Sequence, residues 1–446
     1  MQVVFDAILL FLAFMLAGVW LARGDFASSE LLPSALLFAV AMIVLNSTVG
    51  LYRLDPYRTR TQTAARIAVF VLLAVPVTYL IFRALPWGRT HQQLLNVTAI
   101  AALAVLVAVR GLVAHRRAAP MFARRVLVFG TGPEAVAVDQ SSRNFASSMS
   151  IVGFYPVESD KTSHAVAAER IFATGISLAD TAGIHEVDDL IVAVRERRGG
   201  ALPLNELLKC KLSGIRVLDL SSYYERALGE VRLDTLHASW LIFGEGFRQG
   251  FVRATVKRIF DILASLVLLI SALPVMLLAA VLIASESGFP VLFRQERIGQ
   301  AGRVIRVIKF RSMRRDAEND GKPRWAVTND DRITRVGKFI RKLRIDELPQ
   351  LLNVLMGDMS LVGPRPERPY FVDSLTREIP FYAARHSVKP GITGWAQIRY
   401  HYGASVDDAV QKLQYDLYYV KNHTLFLDML ILFETVGVVI TGQGAQ

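Results

Sequence analysis

Four long apolar runs open the chain, and their length predicts four membrane-spanning helices. The runs are Val3–Leu21, Leu31–Tyr52, Ala64–Phe82 and Leu94–Leu112. Each approaches the roughly 20 residues that a helix needs to cross a bilayer. The loops after the second and fourth runs are rich in arginine, and basic loops stay in the cytoplasm. We therefore expect residues 1–115 to form a transmembrane domain whose N-terminus and following chain are cytoplasmic.

Between residues 120 and 235 the pattern changes to short apolar runs that alternate with helical segments. The strand-like runs are Arg125–Phe129, Ile151–Tyr155, Leu190–Val194 and Ile215–Leu220. Such alternation is typical of a doubly wound parallel sheet, so we predict a cytoplasmic Rossmann-like α/β domain. Residues 236–255, with aromatic and basic side chains suited to a membrane interface, are interpreted as a connector.

The first of these strands is followed by Gly130-x-Gly132-x-x-Ala135, which is close to a dinucleotide-binding fingerprint. No acidic residue stands at the end of the second strand to hold a ribose. Two interpretations stay open. Gly130 and Gly132 either form a tight strand-to-helix turn in a degenerate fold or bind a nucleotide.

A fifth apolar segment, Ile259–Ala284, is long enough to cross a membrane, yet basic residues flank it on both sides. The charge rule therefore places both of its ends in the cytoplasm. Pro274 near its middle removes a backbone donor and bends a helix, and Ser271 can bond a freed carbonyl. We predict a re-entrant helix–break–helix over residues 257–285, with a kinked spanning helix as the alternative.

Composition agrees with a membrane protein whose partners are anionic. Apolar residues make up 52% of 446, and the net charge is +12. Much of the excess lies between Arg294 and Arg344, with sixteen Lys or Arg and six Asp or Glu. No aromatic-rich RNA motif or zinc-finger spacing accompanies this stretch, so nucleic acid is not expected as a partner. Membrane lipids or phosphorylated substrates fit better. The single cysteine, Cys210, can form no intrachain disulfide.

Asp346-Glu347-Leu348-Pro349 combines two carboxylates with a proline, which suits a helix only in its first turn. We predict a break near Ile345, with Asp346 as N-cap of a helix through Met356. A helix N-terminus favours phosphate groups and an ionised aspartate. Asp346 could then be a nucleophile toward phosphorus or a Mg²⁺ ligand, and Glu347 could orient substrate, share the metal or move a proton.

Nearby cations could hold phosphate oxygens. Pro364 and Pro366 stiffen the chain around Arg365, whose planar guanidinium grips phosphate in two places. The other candidate substrate contacts are Gln295, Arg297, Lys309, Arg311 and Arg344.

Many short motifs occur in order from about Val256 to Thr435. They include Lys257-Arg258-x-x-Asp261, Lys309-Phe310-Arg311-Ser312-Met313, Asp346-Glu347-Leu348-Pro349-Gln350, Gly363-Pro364-Arg365-Pro366, Lys389-Pro390-Gly391-Ile392-Thr393-Gly394 and Tyr415-Asp416-x-Tyr418-Tyr419. The region resembles the catalytic domain of the bacterial monotopic phosphoglycosyl transferases, which initiate exopolysaccharide, capsule or O-antigen synthesis. The four N-terminal helices and the α/β segment resemble the large subgroup of that family.

The resemblance implies an α+β catalytic domain over residues 256–446, on the cytoplasmic face of a bacterial inner membrane. It implies that Asp346 attacks the β-phosphorus of a UDP-sugar, UMP leaves, and undecaprenyl phosphate then attacks the phosphosugar ester. The family places Mg²⁺ at the aspartate of the pair, and the large subgroup uses UDP-glucose or UDP-galactose. A homodimer is also plausible.

Two other classes of function fit the sequence less well. A membrane-anchored nucleotide-binding regulator or NAD-dependent sugar-modifying enzyme would use the Gly130 domain, but the ribose-binding acid and a Tyr-x-x-x-Lys pair are not seen. A transporter or scaffold would need more intramembrane polar residues than Asp6, Asn46 and Thr78.

Overall fold

The chain forms two compact units, Met1–Leu228 and Gly229–Gln446, in a computed structural model. It describes residues 2–22, 28–52, 60–85, 92–117, 123–143, 149–157, 165–173, 175–194, 202–235, 250–314, 317, 331–400, 403 and 405–441. The first unit ends before the predicted boundary at residue 235, because residues from Gly229 onward pack with the second unit. Most of the predicted connector, residues 236–249, lies outside the described residues.

The first unit begins with four long helices, which contain the four predicted apolar runs except that the second run extends past the end of α2 to Tyr52. They are α1 (Gln2–Ala22), α2 (Ser28–Thr48), α3 (Arg60–Ala84) and α4 (Gln92–Arg117). Helices α1 and α3 each pack against both α2 and α4. The rings of Phe14, Phe38 and Phe82 meet in the interior, with centroids 5.1 to 6.4 Å apart.

The length and apolar character of these helices fit a membrane-anchored protein. Helices α1, α2 and α3 each contain a stretch long and apolar enough to cross a bilayer, and α4 contains the shorter apolar run Leu95–Val109. The basic loop after α2, residues 53–59, is outside the described part of the chain. The orientation of the bundle therefore stays a prediction.

The rest of the first unit is a four-stranded parallel sheet with the strand order β2-β1-β3-β4. Each of its strands covers most of one predicted run. The elements are β1 (Arg124–Phe129), α5 (Pro133–Ser142), β2 (Met149–Tyr155), α6 (Leu178–Ile184), β3 (Asp189–Val192), α7 (Leu204–Leu212), β4 (Arg216–Asp219) and α8 (Leu220–Ala227).

Alternate residues of β1 face opposite sides of the sheet, as the two-residue period of a strand requires. Val126 and Val128 pack in the core that includes residues of α5 and α8. Leu127 and Phe129 pack in the core that includes residues of α6 and α7. Helices therefore cover both faces, which explains why the strands read as continuous apolar runs in the sequence.

Gly130 is required by packing. Its φ is +121°, and a Cβ at this position would lie 2.6 Å from the carbonyl oxygen of Ala193. Gly132 is the N-cap of α5, with Pro133 at the first helical position. The geometry thus accounts for Gly130 without a ligand, and nucleotide binding at this turn stays a prediction.

The second unit is a mixture of helices and short sheets. Its elements are α9 (Phe251–Ser287), β5 (Leu292–Ile298), β6 (Val304–Phe310), α10 (Arg335–Lys342), α11 (Gln350–Met356), β7 (Ser360–Val362), α12 (Pro369–Glu378), β8 (Gly391–Thr393), α13 (Trp395–Arg399), α14 (Val406–Asn422) and α15 (Leu425–Thr441). Strands β5 and β6 are antiparallel, and β7 and β8 are parallel.

Helix α9 is helical throughout its 37 residues, with Pro274 inside it, so the predicted break in the helix is not observed. The hydroxyl of Ser271 donates to the carbonyl of Leu268 at 3.0 Å. It therefore does not bond Ile270, whose carbonyl Pro274 leaves without its usual donor.

A buried ionic cluster attaches the start of α9 to the rest of the second unit. The Lys257 ammonium lies 2.6 Å from Asp428 of α15, whose other oxygen accepts from the Tyr419 hydroxyl at 2.7 Å. Asp261 accepts from the backbone N–H of Leu361 in β7 at 3.3 Å. These contacts explain how an otherwise apolar helix is fixed to a polar body.

We expect Asp428→Asn to lower the stability of the second unit by about 3 kcal/mol, because it removes the closer counter-ion of the largely buried Lys257 and leaves Asp261 at 3.8 Å as the more distant one. The measurement is the thermal unfolding temperature of the purified protein in lipid nanodiscs. Asp407→Asn, at an exposed position, is the control and should change stability by no more than about 0.5 kcal/mol. Equal unfolding temperatures for the two variants would contradict the role of the cluster.

Candidate active site

Asp346 and Glu347 lie in a 3₁₀ turn, Ile345–Glu347, between α10 and α11. The prediction that Asp346 caps an α-helix is wrong, because α11 begins at Gln350 and its N-cap is Pro349. The chain changes direction at Arg344, which takes a left-handed conformation with φ of 57°. That conformation ends the preceding helix and turns both carboxylates into the interior.

Glu347 is buried and surrounded by cations. Its carboxylate lies 2.7 Å from Arg365, 3.5 Å from Lys309 and 3.6 Å from Arg344. Burial acts to raise the pKa of Glu347, but the charges of Arg365, Lys309 and Arg344 outweigh it and hold that pKa well below its ordinary value. Glu347 is therefore ionised throughout the neutral range.

Asp346 is in a different electrostatic position from its neighbour. Burial and the adjacent charge of Glu347 raise the pKa of Asp346 to about 6, against the opposing charges of Lys309, Arg341 and Arg365. The expectation of an unusually stable ionised Asp346 is thus wrong, because no α-helix N-terminus stabilises its charge. With the other described residues it makes no ion pair, so its carboxylate is available to a ligand.

The loop that carries Arg365, residues 363–367, is held in place at every residue. Each of the five has a backbone atom bonded to a group outside the loop. These bonds join Gly363 N to Thr393 O, Gly391 N to Pro364 O, Arg385 Nη2 to Arg365 O, Arg297 Nη1 to Pro366 O, and Ile298 N to Glu367 O, over 2.9 to 3.1 Å. Since Pro364 and Pro366 have no N–H, their carbonyls are the backbone groups that can be held.

The other predicted contacts differ in the groups that they meet. Lys309 on β6 lies 3.5 Å from Glu347, and burial lowers the pKa of its ammonium although the charge of Glu347 opposes this. Arg297 donates to Gln295 at 3.0 Å and to the Pro366 carbonyl at 3.1 Å, so these two side chains brace the loop. Arg311 donates to the Ser287 and Gly288 carbonyls and so holds the end of α9.

Sequence reasoning missed three groups that matter here. Arg341 lies in the basic stretch between Arg294 and Arg344 without a predicted role, yet its charge acts on Asp346. Arg385 and Asp416 form a buried ion pair at 2.7 Å behind the Arg365 loop. Asp416 stood in a matched motif without a role, and nothing in the pattern around Arg385 indicated that it would be buried.

The side chains at this site can be compared with the ligands that a divalent cation requires. In the described ranges, no group of three or more His, Cys, Asp or Glu side chains could hold a metal ion. Mg²⁺ commonly takes one or two carboxylates and completes its shell with water and substrate phosphates. Glu347 is already paired with three cations, whereas Asp346 is not. The donor set therefore fits a Mg²⁺ held by Asp346 together with a bound diphosphate.

The sequence of this chain is similar to a known protein family and to several named proteins. Residues 252–442 match the family described as bacterial sugar transferase. The chain is 48% identical over 240 residues to a UDP-N-acetylgalactosamine-undecaprenyl-phosphate N-acetylgalactosaminephosphotransferase of Aeromonas hydrophila, covering 54% of this chain and 56% of that protein. It is 43% identical over 187 residues to a UDP-glucose:undecaprenyl-phosphate glucose-1-phosphate transferase of Klebsiella pneumoniae, covering 42% and 40%.

A shorter relative is matched over nearly its whole length. The exopolysaccharide production protein PSS of Rhizobium leguminosarum bv. phaseoli is 44% identical over 186 residues, which cover 41% of this chain and 93% of that protein. The two longer relatives are matched over about half of their length or less. The family match, residues 252–442, lies within the second unit and contains the Asp346–Glu347 turn and the Arg365 loop. By its similarity to these proteins the chain belongs to the bacterial sugar transferase family.

Proposed function

We propose that this protein transfers a sugar-1-phosphate from a UDP-sugar to undecaprenyl phosphate and releases UMP. The observation that carries the proposal is that the two carboxylates of the 345–347 turn have different surroundings. Glu347 is paired with three cations, while its neighbour Asp346 has no ion pair among the described residues and a pKa raised to about 6. A carboxylate of this kind is available as a nucleophile at neutral pH.

The transfer would proceed in two displacements at the same phosphorus. A carboxylate oxygen of Asp346 attacks the β-phosphorus of the UDP-sugar, the bond from that phosphorus to the bridging oxygen breaks, and UMP leaves with the electron pair. An oxygen of undecaprenyl phosphate then attacks the phosphosugar–aspartate ester and releases the Asp346 carboxylate. Both steps exchange one phosphorus–oxygen bond for another, so no oxidant or reductant is needed.

The surrounding charges suit this chemistry. Lys309, Arg344 and Arg365 bring three positive charges to one negative charge on Glu347. The excess favours a bound diphosphate and the charge that spreads over its oxygens during transfer. Glu347 would serve to hold the cations in place. Mg²⁺, bound by Asp346 and the diphosphate, would neutralise further substrate charge.

We also propose that α9 is re-entrant and holds the site at the cytoplasmic face of a bacterial inner membrane. Near the start of α9, Arg258 donates to the Leu355 carbonyl of α11, and near its end Ile283 packs in a cluster with Ile345. A straight helix would separate Arg258 from Ile283 by about 37 Å, but residues 345–355 span only about 15 Å if helical. A bend at Pro274 reconciles the two distances.

The sugar is proposed as a hexose. The resemblance found in the sequence favours glucose or galactose, and the names of the relatives add N-acetylgalactosamine and glucose. The membrane position supports undecaprenyl phosphate as acceptor, because the lipid phosphate lies at the headgroup level where a re-entrant helix would hold the catalytic pair.

Asp346→Asn should lower UMP release by about a thousandfold or more, because it removes the nucleophile without changing the size of the side chain. The measurement is UMP release in lipid nanodiscs with Mg²⁺, undecaprenyl phosphate and UDP-glucose, UDP-galactose, UDP-N-acetylglucosamine or UDP-N-acetylgalactosamine. The parent should use one of these sugars best, and without the lipid it should release about one UMP per enzyme.

Asp373→Asn, at an exposed position on α12, is the matched control and should behave as the parent. The proposed nucleophile is rejected if Asp346→Asn releases UMP as fast as Asp373→Asn. The proposed reaction is rejected if the parent releases no UMP with any sugar.

The rate should depend on pH with an acidic limb near the raised pKa of Asp346, about 6. Below that pH the carboxyl is protonated and cannot attack, so the rate should fall about tenfold per unit. Glu347→Gln removes the neighbouring negative charge, which should lower the pKa of Asp346 and move the limb to lower pH, alongside a loss of rate. An acidic limb of the pH–rate profile that stays in place or moves to higher pH in Glu347→Gln would contradict the electrostatic argument. The control is Glu378→Gln, on the exposed end of α12.

A further inference from the structure

We propose that Arg385, held by Asp416, is a positioning residue that fixes where the Arg365 guanidinium meets the catalytic pair. This inference rests on the proposed function and adds to it a group that does not itself touch substrate. Arg385 lies in the 3₁₀ segment Tyr382–Ser387, and Asp416 lies on α14.

The Arg385 guanidinium makes two hydrogen bonds and one ion pair. Its Nη2 lies 2.7 Å from the Asp416 carboxylate and donates to the Arg365 carbonyl at 3.0 Å. Its Nη1 donates to the Tyr382 hydroxyl at 2.7 Å, and the same ring lies under the guanidinium at 5.1 Å. A planar fork can satisfy these acceptors in fixed directions, whereas a lysine ammonium is a single point charge.

Arg385 contacts the backbone of Arg365, the residue whose side chain meets Glu347. Arg365 stands between two prolines, neither of which has an N–H to donate, and the loop is held largely through its carbonyls. Arg385 is the side chain that bonds the carbonyl of Arg365 itself. On the other side of the same residue, the Arg365 side chain reaches Glu347 at 2.7 Å. Arg385 therefore holds the backbone of the residue whose guanidinium contacts Glu347.

Stability alone is a poor explanation for the Arg385–Asp416 pair. Arg385 is 5% exposed and Asp416 is 2% exposed. A buried ion pair contributes little net stability compared with apolar side chains of the same volume, because both charges lose their hydration. Two charges at this position instead give direction to a contact that apolar residues could not make.

Displacement of Arg365 has a defined consequence for the rate. If the guanidinium moves away from Glu347, one of the three cations that meet at this carboxylate is withdrawn from the site where charge spreads over the diphosphate during transfer. The loss should therefore appear in kcat and not in KM, and it should require Arg365. A group that served only to stabilise the fold would not depend on Arg365 in this way.

The test compares Arg385→Lys with Arg399→Lys, a matched change in the same unit. Arg399 also pairs with a carboxylate, Glu434 at 3.0 Å, and also lies over an aromatic ring, Trp395 at 4.2 Å. Each variant keeps the positive charge and loses the fork. UMP release is measured in nanodiscs with undecaprenyl phosphate and Mg²⁺, and the concentration of the best UDP-sugar is varied to give kcat and KM.

Arg385→Lys should lower kcat by about tenfold or more and change KM by less than about twofold, since a small misplacement of a catalytic group is costly in the transition state. Arg399→Lys should change neither constant by more than about twofold. The effect should also depend on Arg365. In an Arg365→Ala background, adding Arg385→Lys should change the rate by less than about twofold, because the group through which it acts is gone.

The inference is overturned if Arg385→Lys and Arg399→Lys lose the same activity, if the loss in Arg385→Lys lies in KM and not in kcat, or if the full effect persists without Arg365. Asp416→Asn is the second variant, used if Arg385→Lys does not fold, and should lower kcat with the same dependence on Arg365. If neither variant folds, the pair serves stability and the inference also fails. A parent that releases no UMP, or that releases it as fast as Asp346→Asn, instead rejects the proposed function and the inference with it.

Discussion

Glu347 is a buried carboxylate with three cations around it, and this arrangement sets the state of the aspartate beside it. A carboxylate can be buried in ionised form only if its charge is matched, and Arg365, Lys309 and Arg344 supply that match. The same negative charge then acts on Asp346 across one peptide unit. One neighbour is stabilised as an anion and the other is kept close to the pH at which it gains a proton. Two adjacent acidic residues thereby acquire different chemical characters.

Much of the second unit serves to hold these charged side chains in place. The 363–367 loop is bonded at every residue, and the bonds come from both small sheets and from the Arg385 segment. Arg297 and Gln295 belong to this support. Arg311 is a support of another kind, because it holds the carbonyls at the end of α9. Cations that look equivalent in the sequence therefore divide into those that face the pair and those that hold the frame around it.

Helix α9 would connect this frame to the lipid under the proposed function. Its surface is mostly apolar and exposed, while Lys257 and Asp261 attach its start to α15 and β7. Contacts near both ends involve the turn and helix that follow α10. A site attached in this way moves with the membrane helix, which is the constraint that a reaction between a soluble nucleotide-sugar and a lipid phosphate would impose.

The sequence by itself determined the elements and located the chemistry. Apolar runs of bilayer length gave α1 to α4, and short apolar runs gave each of the four parallel strands, because periodicity and length are local properties. The ordered motifs identified the family. Only the tertiary structure decided the rest. Arg344 takes a left-handed conformation directly before the 3₁₀ turn of Asp346, and burial and a neighbouring charge raise the pKa of that aspartate, against the helix-cap prediction. Arg385 and Asp416 meet from distant parts of the chain, and burial and charge pairing of this kind depend on three-dimensional neighbours that no local pattern records.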